Sequence, residues 1–334
     1  MVSITDIAQK VGVSPSTVSR VMNGKKYVNA EKKAQILKII AETGYVPNKA
    51  ARDMVLQRSF TVGIVIPDTF NVFQRQLFST IERQLVSFGY RSLFFFVKFD
   101  SSSEKQCLDR LKSEKLDGVI MLHEIKSPEF YAYLDNTKIP IVSTLCNDNA
   151  IPTIKIDDKQ AASDGVHHLI NLGHRRITMI AGCHFSFGLR RLEGYYQALD
   201  EAGIERNEKL VVDAQQYSSE AGMYAMRDLL LRSRDFSAVF AASDELAIGA
   251  MRAMLDEGLR IPEDISIVGF DDIDISNYFH PRLTTLRQPI FEIGEQSALK
   301  LHRYINGQTD AECTTVLPHK LIIRESTCSA TPSR

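Results

Sequence analysis

Between residues 61 and 287, short continuous apolar runs alternate with segments of helical period, and the alternation goes round twice. In the first round, residues 62–66, 92–97, 118–122 and 139–143 are apolar runs of buried-strand length, with helical periodicity over 76–88 and 104–116. After Pro152 a similar alternation restarts. Runs at Ile177–Ala181, 210–212, 238–242 and 265–270 read as strands, and 159–172, 189–202, 221–231 and 246–257 as helices. Strands without polar alternation, joined by helices, imply parallel sheets covered on both faces, and two rounds imply two similar lobes. A chain of 334 residues is long enough for two or three domains. No apolar run reaches the roughly 18 residues that span a bilayer.

The first 59 residues stand apart by charge. They hold ten Lys and Arg against four Asp and Glu, a net +6, whereas the whole chain carries −1 and the remainder therefore −7. A small basic head on an acidic body suits a polyanionic partner. Within the head, Ile4, Ile7, Ala8 and Val11 share one face of a short helix opened by Ser3 or Thr5 and broken by Gly12-Val13. Ser14-Pro15 supplies a cap and a proline at the first helical position. This predicts a second helix over Pro15–Met22, with Val18, Val21 and Met22 inward and Ser16, Thr17, Ser19 and Arg20 on the other face. A third helix is predicted over Ala30–Thr43, burying Ala34, Leu37, Ile40 and Ala41 and ended by Gly44. Two short helices about a tight turn fit a helix-turn-helix, with small polar residues opening the helix that enters the major groove. Arg20 is then in reach of phosphate or guanine. The same pattern also fits a three-helix protein-binding module.

The runs Ile4-Thr5-Asp6-Ile7-Ala8, Val11-Gly12-Val13-Ser14, Ser16-Thr17-Val18-Ser19-Arg20-Val21-Met22-Asn23 and Gly44-Tyr45-Val46-Pro47-Asn48 resemble the lactose-repressor family of bacterial transcription regulators. The matches continue to the end of the chain. The resemblance implies an α/β protein in three parts: an all-α helix-turn-helix head over 1–46, a hinge helix or linker over 47–59, and a core over 60–330. The core is expected to be periplasmic-binding-protein-like, two-lobed, built on parallel sheets, and to carry effector binding and dimerisation. Its N-lobe takes about 60–157 plus 289–317 and its C-lobe about 158–287 plus 318–330. By resemblance, operator contact falls to Thr5, Pro15, Ser16, Thr17, Ser19, Arg20, Asn23, Tyr45, Asn48, Ala51, Arg52 and Met54. Base reading falls to Pro15, Ser16 and Arg20. Met54 stands where the family usually places a leucine wedge in the minor groove, and methionine can still unstack a base step. The alternative is that Met54 and Leu56 pack on a partner's hinge.

Ligands of open parallel sheets bind beyond the carboxyl ends of the strands. The residues there are Asp68, Phe70, Asn71, Phe73 and Gln74 after the first run and Phe185, Phe187, Arg190 and Arg191 after the run Ile177–Ala181, with Tyr217, Ser243, Asp244, Asp271, Asp272 and Gln288 after later ones. Flat rings pack on the C–H face of a pyranose, and arginine and carboxylate groups take paired hydroxyls. By resemblance, Arg191 clamps the ligand, Asp271 binds it, Tyr217 stacks on it and Phe73 lines the first lobe. The full expected set is Phe73, Gln74, Phe185, Arg191, Tyr217, Ser243, Asp244, Asp271 and Gln288, with Ser243 where many members have asparagine. From the residues alone, Arg191 also reads as a helix-end charge, Asp271 as a turn or cap residue, and the rings as packing. Arg190 reads as a salt-bridge partner.

Phosphate-binding glycine loops and the GxSxG nucleophile motif are absent from the sequence. His167 and His168 are adjacent on one helix and face different ways, and Asp271-Asp272-x-Asp274 lacks the glycine and glutamate of a calcium loop. No catalytic residue, metal or cofactor is expected. Five scattered cysteines without a CxxC argue against a disulfide framework, and Met1-Val2-Ser3-Ile4-Thr5-Asp6 does not read as a signal peptide. The expectation is a cytoplasmic, homodimeric repressor of a palindromic operator, controlled by a sugar or sugar derivative, with no membrane partner. The alternatives are a regulator of the same fold controlled by a protein partner, and a solute-binding receptor.

Overall fold

The computed structural model describes residues 2–22, 28–45, 58–68, 71–98, 100–144, 151–309 and 312–330. Asn23, Asn48, Ala51, Arg52 and Met54, and with them nearly all of the expected hinge helix, lie outside the described residues. The chain divides into two compact units, residues 1–59 and 60–334.

The first unit is built on three helices, α1 (Ile4–Val11), α2 (Pro15–Met22) and α3 (Ala30–Thr43). Ser3, rather than Thr5, opens α1 through a reciprocal cap in which its side chain accepts from the Asp6 amide and Asp6 accepts from the Ser3 backbone. Those bonds hold the Asp6 carboxyl below its ordinary pKa. Gly12 ends α1 in the left-handed region at φ +68°, and Gly44 ends α3 likewise. Ile7, Ala8, Val11, Val18, Val21 and Ile36 form the core of the head. Lys32 donates to the Val11 carbonyl at 2.8 Å and so ties the start of α3 to the end of α1. The inward face of α3 differs from expectation. Ile36 is buried with Ile39 and Ile40 beside it, whereas Ala34, Leu37 and Ala41 are exposed. Both stripes have helical spacing, and the bulkier isoleucine stripe faces α1 and α2.

The second unit holds two six-stranded sheets. The first has the order β11-β5-β4-β3-β1-β2, from β1 (Thr61–Pro67), β2 (Arg91–Val97), β3 (Gly118–Met121), β4 (Ile141–Ser143), β5 (Thr153–Lys155) and β11 (Thr314–Val316). The second has the order β12-β10-β9-β8-β6-β7, from β6 (Ile177–Ala181), β7 (Val211–Asp213), β8 (Ala238–Ala241), β9 (Ser266–Asp271), β10 (Thr284–Arg287) and β12 (Lys320–Ile322). All pairings are parallel except β10 with β12. The chain therefore passes between sheets three times, after β5, β10 and β11. The second round starts later than Pro152 suggests, because β5 still pairs with β4 in the first sheet.

Helices α4 (Val72–Ser87), α5 (Ser101–Ser113) and α6 (Pro128–Thr137) belong to the first round. Helices α7 (Asp158–Asn171), α8 (Ser186–Glu201), α9 (Ser219–Arg232) and α10 (Asp244–Asp256) belong to the second. Helix α11 (Ile290–Ile305) follows the second crossing and returns to the first lobe. There Leu301 and Ile305 meet Gly118 of β3, and Gly294 meets Thr80 of α4. Helices α6 and α11 and strands β5, β11 and β12 were not anticipated from periodicity.

Candidate functional site

On the head, α2 presents Pro15, Ser16 and Arg20 to solvent, with Thr17 and Ser19 half-buried. The Ser14 hydroxyl is 2.8 Å from that of Ser16 and 2.9 Å from that of Thr17, and it accepts from the Thr17 amide. Ser16 and Thr17 thus share one hydroxyl cluster at the helix start, while Arg20 stands free of it one turn on. Thr5 is exposed on α1, and Tyr45 packs against the head core.

In the second unit, the loops at the carboxyl ends of both sheets meet around a small cavity lined by Asn71, Phe73, Gln74, Phe187, Arg191, Tyr217 and Asp271. Asn71 and Gln74 enter it as a reciprocal cap on α4, the Asn71 side chain accepting from the Gln74 amide at 2.8 Å. Arg191 lies on α8, 4% exposed. Its Nε donates to Asp158 Oδ1 at 2.8 Å, and Nη1 donates to the Ala242 carbonyl at 2.6 Å and lies 3.7 Å from Asp271 Oδ1. The guanidinium carbon sits 3.7 Å from the ring centre of Phe270 and 5.1 Å from that of Phe187. Stacking on one ring and bonding in its own plane leave this arginine little freedom.

One buried cation therefore faces a buried carboxylate, Asp271, and a partly buried one, Asp158. Burial drives the Asp271 carboxyl well above the usual carboxylate range, with Arg191 pulling it back. Asp158 shifts the same way for the same reasons. Asp271 also accepts from Gln288 Nε2 at 2.7 Å. Its backbone is unusual, with φ +117° at Asp271 and +59° at Asp272, a region that costs a non-glycine residue energy and that surrounding bonds must hold. Asp272 is fastened to Arg287 Nε at 2.5 Å and to Arg324 Nη2 at 2.6 Å.

The aromatic wall is built by Phe185, Phe187 and Tyr217. Phe185 and Phe187 stack at 4.9 Å, and Tyr217 lies 5.3 Å from each. The Tyr217 ring lies over the backbone of Gly182, where an added Cβ would come within 2.3 Å of it. Burial raises the Tyr217 hydroxyl pKa, so it enters the site as a neutral group.

Of the expected set, Phe73, Gln74, Arg191, Tyr217 and Asp271 line the cavity. Phe185 and Gln288 stand behind it, one in the ring stack and one on Asp271. Ser243 and Asp244 take other positions. The Ser243 side chain caps α10 by accepting from the Leu246 amide at 3.2 Å. Asp244 is fully buried and accepts from the Ile273 amide at 2.9 Å and from the hydroxyls of Ser276 and Thr285. It holds the loop that carries Asp271 and does not line the cavity. Asp158 was missed because its role is set only when α7 and α8 pack together. Asn71 and Phe187 were among the loop-end residues, but nothing in their spacing singled them out. Arg190 pairs with Glu193 at 2.6 Å.

His167 and His168, and two further histidines of the second lobe, are engaged separately. His167 pairs with Ser163 and Glu201, His168 with Thr327, His174 with Ser237 and Cys328, and His319 with Asp164. Among the described residues no group of His, Cys, Asp and Glu is arranged to hold a metal ion, and no helix is long and apolar enough to cross a membrane.

A three-helix head on a chain that also holds a two-sheet core, with charged and aromatic groups clustered at the strand ends, defines a class: regulators that couple a DNA-binding head to a binding-protein-like core. Comparison with known proteins gives the family. Residues 3–48 match the lacI family of bacterial regulatory proteins, and residues 166–327 match a periplasmic binding protein-like domain. Catabolite control protein A of Priestia megaterium is 31% identical over 334 residues, covering 98% of this chain and 99% of that one. A Lac repressor dimer bound to operator and the anti-inducer ONPF superimposes with a TM-score of 0.87 at 26% identity, over 98% of this chain and 99% of that one. A complex of the transcriptional regulator CelR with cellobiose does so with a TM-score of 0.75 at 30% identity, over 98% and 100%. The chain belongs to the lacI family of bacterial regulatory proteins and is a DNA-binding transcriptional regulator.

Proposed function

We propose that this regulator acts as a cytoplasmic homodimeric repressor that binds a palindromic operator through paired heads and answers to a small sugar-like effector held between its lobes. The observation that carries the effector reading is Arg191, fixed between Asp158, Asp271 and Phe270 and facing Phe73, Phe187 and Tyr217 around one cavity. This set offers a charged clamp for vicinal hydroxyls and rings for an apolar sugar face. The cellobiose complex and the operator-bound dimer among its relatives support the two halves of the reading. On the head, α2 would enter the major groove, with Pro15, Ser16 and Arg20 reading bases and Thr5, Thr17, Ser19 and Tyr45 positioning the head on the operator. Asn23, Asn48, Ala51, Arg52 and Met54 complete the proposed operator set, with Met54 as the minor-groove wedge.

The cavity is about 20 Å³, room for one water and far less than a sugar ring requires. Effector entry therefore needs the lobes to part or the rings of Phe187 and Tyr217 to move. A ligand that binds one lobe arrangement better than another shifts their populations, and operator affinity follows by linkage. The test is selection of binding sites from random double-stranded DNA at one stated salt concentration, with and without a pooled sugar mixture. An enriched palindrome whose recovery changes with sugars is expected. Enrichment that no sugar alters would overturn the effector half and favour control by a protein partner. No enrichment in either arm, with the protein folded and dimeric, would overturn the operator half.

A further inference from the structure

Among the described residues, a pair of hydrogen bonds across the cleft mirror each other. Glu124, in the loop after β3 of the first lobe, accepts from the Ser186 amide at the first position of α8 in the second lobe, at 3.2 Å. Glu245, on α10 after β8 of the second lobe, accepts from the Val72 amide at the first position of α4 in the first lobe, at 3.4 Å. The sheets run β4-β3-β1-β2 and β9-β8-β6-β7, so β3 corresponds to β8, and α4 after β1 corresponds to α8 after β6. The same corner of each lobe thus sends a carboxylate to the same helix start of the other.

The chemistry favours both contacts. Early helix amides lack a partner within their own helix, and the positive end of the helix attracts a carboxylate. The residue before α8 is Phe185, whose side chain cannot cap it. Arg75, in the first turn of α4, adds attraction for Glu245. Both contacts flank the cavity: Val72 lies between Asn71 and Phe73, and Ser186 precedes Phe187. Parting the lobes to admit a ligand breaks both.

We propose that Glu124 and Glu245 form a reciprocal latch, each carboxylate capping a helix of the opposite lobe, that holds the two lobes in this closed arrangement. The latch deepens the reading of the cleft as a ligand site, but its test needs no ligand, so an absent sugar response leaves it standing. Hydrogen–deuterium exchange resolved to single amides is measured on the full chain and on Glu124→Ala and Glu245→Ala. One opening event exposes both amides. Glu124→Ala is therefore expected to speed exchange at Val72 as well as at Ser186 by about tenfold, the scale of a charge-assisted hydrogen bond, and Glu245→Ala to do the same. Val65 in β1 and Ile180 in β6 should exchange as before, which shows that both sheets stay folded. Acceleration at only the amide that lost its own carboxylate would make the two contacts independent caps and overturn the latch. No acceleration at either would do so as well.

Discussion

Arg191 is held in place by what it neutralises. Asp158 and Asp271 share its charge out of water, and a pair broken from one side leaves the other side buried and uncompensated. Arg191→Ala is therefore expected to destabilise the core by about 3–5 kcal/mol in urea unfolding, besides abolishing any effector response. Tyr217→Ala removes a wall of the cavity with no charge left behind and is the cleaner binding variant. Asp244 carries a second prediction. Burial pushes its carboxyl up to about 7, above the roughly 3.9 of an unfolded aspartate. The stabilisation linked to its proton is complete below about pH 4 and is lost as pH rises through about 7. Urea unfolding of the wild type and of Asp244→Asn from about pH 4 to 8 should show the variant gaining on the wild type up to about pH 7 and holding level above it. Parallel curves would mean that Asp244 ionises as an exposed aspartate does. The sequence marks Asp244 as a residue at a strand end but cannot separate a ligand group from a loop anchor. That distinction depends on Ile273, Ser276 and Thr285 arriving from other elements.

Elements were legible where the period was strong and capped. Helices α1 and α2 announced themselves through Ser3 and Ser14-Pro15, and β1, β6 and β9 through unbroken apolar runs. Helix α4 begins four residues earlier than its period suggested, because Asn71 and Gln74 cap each other. Close helix crossings rest on single glycines. An added Cβ at Gly222 of α9 would meet the Leu246 carbonyl of α10 at 2.2 Å, and one at Gly249 of α10 would meet the Ser219 carbonyl of α9 at 1.8 Å. Gly249→Ala must push two backbones apart and should cost at least about 2–3 kcal/mol, read from the midpoint of thermal or chemical unfolding. A cost near zero would mean that α9 and α10 can slide without loss.

At the scale of the molecule, charge is divided between a head of +6 and a remainder of −7. Non-specific attraction to DNA then comes from the head, and it weakens with salt because releasing counterions gains less as the bulk salt concentration rises. Operator affinity measured by fluorescence anisotropy should fall by at least about tenfold between roughly 50 and 200 mM salt. A flat salt dependence would mean that the basic head does not lie on phosphate. The two-lobed core adds what the head lacks, a cleft between two sheets, and on the proposed reading its occupant shifts the population of lobe arrangements.

By itself the sequence determined the kind of each strong element, the helix-turn-helix, the two rounds of strand and helix, and the positions of Arg191, Tyr217 and Asp271 at strand ends. These depend on short-range spacing, which periodicity and capping residues report directly. Periodicity left the sheet of β5 and of β12 open, and only the tertiary structure decided that Asp158 neutralises Arg191, that Ser243 caps α10 and Asp244 holds the loop that carries Asp271, and that Glu124 and Glu245 reach across the cleft. Strands buried on both faces look alike along the chain whichever sheet they enter. The protonation and partners of a buried carboxylate are likewise set by residues far away in sequence.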